Sequence, residues 1–126
     1  MSGTDDNVDI NYLKRSYKNS KMRYVIQEAK FYLQGKRERE VICVKGSKDD
    51  LDYLLWRLKL SMRKINGELV VAGQSTDITK KAVYIYYTSK IPQEFDKTLL
   101  QNQNTVIIFE DSREFTEECI KVDISG

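Results

Sequence analysis

The spacing of hydrophobic and polar positions changes several times along the chain, and each change marks an element. Val8, Ile10 and Tyr12 alternate with Asp9 and Asn11, which predicts a short strand over 8–13. A basic loop, Lys14-Arg15-Ser16-Tyr17-Lys18, is expected to follow, with Asn19 or Ser20 capping a helix through a side-chain oxygen. Met22, Val25, Ile26, Ala29, Tyr32 and Leu33 recur at helical spacing, and Gly35 is placed to end that helix in the left-handed conformation. Val41-Ile42-Cys43-Val44 is a continuous apolar run, the pattern of a strand buried on both faces. Beyond Gly46, Ser47 is the N-cap candidate of a second helix. Asp49, Asp50 and Asp52 fill its first turn, and Leu51, Leu54, Leu55, Leu58, Met62 and Ile65 form its apolar stripe. Arg57, Lys59, Arg63 and Lys64 follow, so acids lead and bases trail, as the helix dipole favours. Asn66-Gly67 is the stop.

Two further strands, 68–74 and 82–88, flank the polar stretch 75–81 and predict a hairpin with a projecting tip. The order to this point is βαβαββ, an α+β fold in which one sheet and two helices form a two-layer sandwich. Residues 91–103 are mixed, a linker or a short helix using Phe95, Leu99 and Leu100. Thr105–Phe109 and the alternating Ile120, Val122 and Ile124 are expected to pair as a C-terminal hairpin. The expected organisation is a disordered 1–7, a domain over 8–90, and an acidic extension over 91–126 packed as strands on the domain or on a partner. The extension's carboxylates could also compete with phosphates for a basic face.

Charge changes the picture more than composition does. The net charge of +2 conceals a reversal along the chain. Between Lys14 and Lys48 the bases Lys14, Arg15, Lys18, Lys21, Arg23, Lys30, Lys36, Arg37, Arg39, Lys45 and Lys48 meet only Glu28, Glu38 and Glu40. After Ile91 the acids Glu94, Asp96, Glu110, Asp111, Glu114, Glu117, Glu118 and Asp123 meet only Lys97, Arg113 and Lys121. A basic segment of this kind fits an anionic polymer. The chain of 126 residues is the size of one domain. No stretch has the length of a membrane span, and the acidic N-terminus is neither a signal peptide nor a transit peptide. Cys43 and Cys119 sit in apolar, strand-like runs and are expected to be buried thiols of an intracellular, reducing compartment, nucleus or cytoplasm. There is no histidine, which removes the commonest general base and metal ligand. No phosphate loop, Cys/His cluster or nucleophile–base arrangement is present, so neither catalysis, cofactor nor small-molecule substrate is expected.

The order and spacing of four stretches resemble the Alba family of nucleic-acid-binding proteins. These are the strand, basic loop and helix of Val8 through Leu33, then Val41 to Gly46 running straight into a helix, then Gln74-Ser75-Thr76-Asp77-Ile78-Thr79, and finally Ala82 to Lys90 with Phe95-Asp96 after it. The resemblance covers about three quarters of the chain. It implies a homo- or heterodimer with another Alba-like chain, RNA or DNA as ligand (RNA slightly ahead), and a place in a ribonucleoprotein or chromatin complex. It also implies contacts from the loop after the first strand, from the loop before the second helix and from the last hairpin. Those regions hold Lys14, Arg15, Lys18 and Lys21, then Lys45 and Lys48, then Lys80 and Lys81. The turn at 46–51 departs from the family in carrying Asp49 and Asp50 near the expected phosphates. The C-terminal domain of bacterial translation initiation factor three shares the βαβαββ order and implies a ribosome binder, but its basic turn is poorly matched here.

From the residues themselves, Lys14, Arg15, Lys18 and Lys21 with Tyr17 interleaved form the strongest candidate for gripping phosphates and stacking a base. Lys80-Lys81 could instead guard a sheet edge. Tyr84, Tyr86 and Tyr87 are expected core residues, or alternatively a stacking platform. Trp56 interrupts the leucine stripe and suits an interface. A subunit that kept the fold and serves as a protein–protein scaffold is the rival expectation.

Overall fold

A computed structural model of the chain describes residues 3–76 and 79–125. Its elements are α1 (Gly3–Leu33), β1 (Val41–Lys45), α2 (Lys48–Lys64), β2 (Leu69–Val71), β3 (Val83–Tyr87), a 3-10 turn (Thr88–Lys90), α3 (Phe95–Leu100), β4 (Val106–Glu110) and β5 (Ile120–Asp123). The strands form one sheet in the order β2-β3-β4-β1-β5, and every neighbouring pair is parallel.

The continuous apolar runs explain that sheet. Strands buried on both faces cannot alternate apolar with polar residues, and all-parallel sheets are covered on both sides. Ile42, Val44, Val83, Ile85, Ile107 and Phe109 face one core, which Met22, Val25, Ile26 and Ala29 of α1 and Leu51, Leu54, Leu58 and Met62 of α2 close. Val41, Cys43, Tyr84, Tyr86, Val106 and Ile108 face a second core with Ile91, Leu99 and Phe115. The connection β1–α2–β2 runs one way along the sheet and lies on the first face. The connections β3–α3–β4 and β4–β5 run the other way and contribute to the second. That division is what a single hand for parallel crossovers requires.

The layer of sheet and helices is as expected, but several elements differ. The expected strand over 8–13 and the basic loop after it are both part of α1, so the order βαβαββ loses its first strand. No Gly or Pro interrupts the chain between Gly3 and Gly35, and a five-position alternation is too short to outweigh that. Ser20 does not start a helix; its hydroxyl donates to the Ser16 carbonyl at 3.0 Å, one turn back in the same helix. Residues 3–7, expected to be disordered, are helical, while Met1 and Ser2 lie outside the described residues. The hairpin of 68–88 is instead a parallel pair, with Leu69 beside Val83 and Val71 beside Ile85. The Asp77-Ile78 part of its expected tip lies outside the described residues. The C-terminal strands do not pair with each other: β4 sits between β3 and β1, and β5 lies on the far side of β1. Residues 91–126 thus supply an interior strand rather than an appendage.

Two helix ends match their sequence signals. Gly35 adopts φ +75°, and Ser47 accepts the Asp50 amide at 3.2 Å as N-cap of α2. The cysteines, expected as free thiols, form a Cys43–Cys119 disulfide that ties β1 to the segment before β5. A disulfide is not what a reducing compartment favours.

Candidate nucleic-acid interface

Helices α1 and α2 lie side by side and run in the same direction, opposite to the strands. Lys18 Nζ meets Asp50 Oδ2 at 2.9 Å where α2 begins. Further along both helices, the Arg57 guanidinium reaches the Met22 sulfur at 3.8 Å. Burial of α1 begins at Met22, whereas every residue from Ile10 to Tyr17 is exposed. The helix is about 46 Å long and the central strands about 17 Å, so the basic half of α1 extends past the sheet.

This arrangement gathers the bases. Positions 10–27 of α1 hold Lys14, Arg15, Lys18, Lys21 and Arg23 and no acid. Positions 53–64 of α2 hold Arg57, Lys59, Arg63 and Lys64, again with no acid. Lys21 is partly committed: its Nζ donates to the Asp123 carbonyl at 2.5 Å and lies 4.3 Å from the Tyr17 ring centroid. That ring is otherwise open to solvent, as are Tyr12 and Leu13.

The remaining sequence candidates fall elsewhere. Lys48 opens α2 at the carboxyl edge of the sheet, next to Asp49 and Asp50. Lys45 ends β1 in register with Glu110 on one side and Asp123 on the other, so carboxylates flank it. Lys80 and Lys81 lead into β3 and therefore stand at the opposite edge. Lys80 pairs with Glu68 at 2.7 Å, and the hydrogen bond and then the charge of Glu68 raise its pKa. Lys81 lies over the Tyr32 ring. Tyr84 and Tyr86 are buried and offer no platform to a ligand. Burial, then the neighbouring Tyr84, pushes the Tyr86 hydroxyl up to about 12.

Parallel sheets often take ligands in a crevice beyond the carboxyl ends of their strands. Here that crevice is about 490 Å³, bounded by Lys45, Gly46, Ser47, Glu110, Asp111, Ser112, Arg113, Glu114 and Ser125. Much of its polar wall is committed internally. Arg113 grips the fully buried Asp96 with two hydrogen bonds of 2.9 Å, and the Thr116 amide and hydroxyl complete the clamp. Burial pushes the Asp96 carboxyl up, but Arg113 and Thr116 together hold it below the usual carboxylate range. Burial also pushes Asp111 up, and there Ser89 and Thr88 outweigh it and hold the carboxyl low. These bonds fasten the β4–β5 connection to α3 and to the turn after β3. Among the described residues no group of three or more His, Cys, Asp or Glu side chains could hold a metal ion.

The reversal of charge along the sequence therefore becomes a difference between faces. Glu114, Glu117 and Glu118 of the β4–β5 connection, whose Phe115 packs in the second core, lie on one side of the sheet, and the base-rich helices cover the other. The sequence pattern alone did not nominate Tyr53 and Arg57 for this surface, nor the stacking of Tyr53 on Trp56. Their signal was present: Tyr53, Trp56 and Arg57 fall off the leucine stripe of α2, so the helix turns them outward. No family model, curated protein or solved structure matches the chain. No helix among the described residues is long and apolar enough to cross a membrane.

Proposed function

We propose that this protein binds nucleic acid, without catalysis, through the outer surface of α1 and α2. The observation that carries this reading is the pairing of two base-rich, acid-free stretches, 10–27 and 53–64, on adjacent helices, with Asp49, Asp50 and Asp52 confined to the start of α2. Phosphates are met by Lys14, Arg15, Lys18 and Arg57, and affinity is mainly electrostatic. Lys45, Lys48, Lys80 and Lys81 contribute less, because carboxylates adjoin Lys45, Lys48 and Lys80, and Lys81 lies over the Tyr32 ring. RNA is placed slightly ahead of DNA. In its finer form, the reading makes the chain an Alba-like, dimeric subunit of a ribonucleoprotein or chromatin complex. That form rests on sequence resemblance alone.

The test is binding to structured RNA and to duplex DNA across a salt series. Replacing Lys14, Arg15, Lys18 and Lys21 with Gln should weaken binding to both. It should also flatten the logarithmic salt slope by roughly 0.7–0.9 for each phosphate that is no longer neutralised. Folding should be little changed, since a partly exposed pair at the molecular surface such as Lys18–Asp50 contributes about 1 kcal/mol. Absence of binding to either ligand at low salt would overturn the reading.

A second reading, a protein–protein scaffold, has one observation in its favour. Ile10, Leu13 and Tyr17 recur at spacings of three and four along the exposed part of α1, and each leaves half or more of its surface in solvent. Under it, the Gln variant assembles with its partners as before and no direct nucleic-acid binding exists to be lost.

A further inference from the structure

Tyr53 and Trp56 stand on the outer face of α2 with 47% and 56% of their surfaces exposed. Their rings stack on each other with centroids 5.9 Å apart and planes 28° from parallel. The Arg57 guanidinium lies 5.7 Å from the Tyr53 centroid. Leaving two large rings in water forfeits the stabilisation that burial would give, and neither ring completes a core cluster.

We propose that Tyr53 and Trp56 form a stacking platform for unpaired bases, which makes the ligand of this face single-stranded nucleic acid. The proposal rests on the nucleic-acid reading above and specifies its ligand. Three features converge. Flat rings accept bases only when those bases are free of a duplex stack, and every base has a face to offer. Arg57, Lys59, Arg63 and Lys64 follow the rings along α2, so a strand leaving a stacked base toward the C-terminal end of the helix meets cations. The Arg57 contact with Met22 then joins this platform to the basic surface of α1. Asp49 and Asp50 lie in the first turn of α2, where Lys18 pairs with Asp50, and Asp52 one turn before Trp56 keeps the strand's phosphates to the C-terminal side of the rings.

Trp56 is the chain's only tryptophan, so its fluorescence reports this site alone. Titrate the full-length protein with a short oligouridylate, a short oligothymidylate and a duplex of matched length. The single strands should quench Trp56 and bind more tightly than the duplex. Trp56→Ala should weaken single-strand binding by roughly 10-fold, since one stacked base contributes about 1–3 kcal/mol. It should leave duplex binding unchanged, and Trp56→Phe should restore most of the affinity. Single strands that bind without quenching, and equally well to Trp56→Ala, would overturn the platform while leaving the nucleic-acid reading intact. No binding of any oligonucleotide would overturn both. Quenching that follows protein concentration without oligonucleotide would also overturn the platform, by showing that the rings serve a contact between copies.

Discussion

Glu40 is the residue the fold accommodates least well. It sits just before β1, where its backbone amide donates to Thr105 Oγ1 at 3.0 Å, but its own Oε2 is buried with no hydrogen-bond partner. Burial, and then the nearby Glu28 carboxylate, raises its pKa above the ordinary value of 4.5, with Arg37 only partly opposing the shift. A carboxyl whose folded pKa is raised is bound more tightly to its proton in the native state. Above the raised folded value it is ionised in both states and the cost of burying the charge is complete. That cost is relieved as pH falls through the raised folded value, and is absent below the unfolded one. Glu40→Gln is therefore expected to stabilise the protein at neutral pH and to have no such effect well below pH 4.5, the ordinary value. Chemical unfolding of both proteins across that range measures the difference. A gain that is the same at both ends would show that the charge is not its cause.

At the scale of elements, the disulfide makes the clearest demand. Cys43 lies in β1 and Cys119 just before β5, 76 residues apart, and β5 is an edge strand with β1 as its only neighbour. The bond closes a long loop, so its reduction should cost about 2–4 kcal/mol in the chain-entropy view. Denaturant midpoints with and without reductant, together with Cys119→Ser, provide the measurement; unchanged midpoints would contradict a structural role. Both cysteines were expected to be buried, which holds for Cys43 while Cys119 is half-buried, and their proximity depends on β5 joining β1, which no local pattern announces. The strands were legible for a related reason. Val41–Val44 and Thr105–Phe109 are continuous apolar runs, and such runs mean burial on two faces. The same fact implied a parallel sheet, yet the short link 75–81 reads as a hairpin when only its polarity is considered. The opening of α1 was misread because Val8, Ile10 and Tyr12 fit a period of two as well as they fit a helix. The wider spacing of Ile10, Leu13, Tyr17 and Tyr24, with no helix breaker between Gly3 and Gly35, is the better guide.

At the scale of the whole molecule, the sheet acts as a partition. Its helical side carries Lys14 through Arg23 and Arg57 through Lys64, while the β4–β5 connection carries Glu114, Glu117 and Glu118 on the other. The sequence showed that bases lead and acids trail, and it nominated Lys14, Arg15, Tyr17, Lys18 and Lys21. It could not show that α2 adds Tyr53, Trp56 and Arg57 to them, because that depends on two helices running together on one face. Asp123, beside Lys21 and Lys45, and Asp50, paired with Lys18, mark the end of the helical face where acids adjoin the bases.

The most direct test of the helical face as the binding surface is a lysine-reactivity footprint of the full-length protein with and without a short single-stranded oligonucleotide at low salt. Lys14, Lys18, Lys59 and Lys64 on that face should be protected. Lys97 on α3 should remain as reactive as in the free protein, and the protection should fade as salt is raised. Protection of Lys97 in place of the α1 and α2 lysines would contradict the assignment of the helical face, and so would no protection of any lysine.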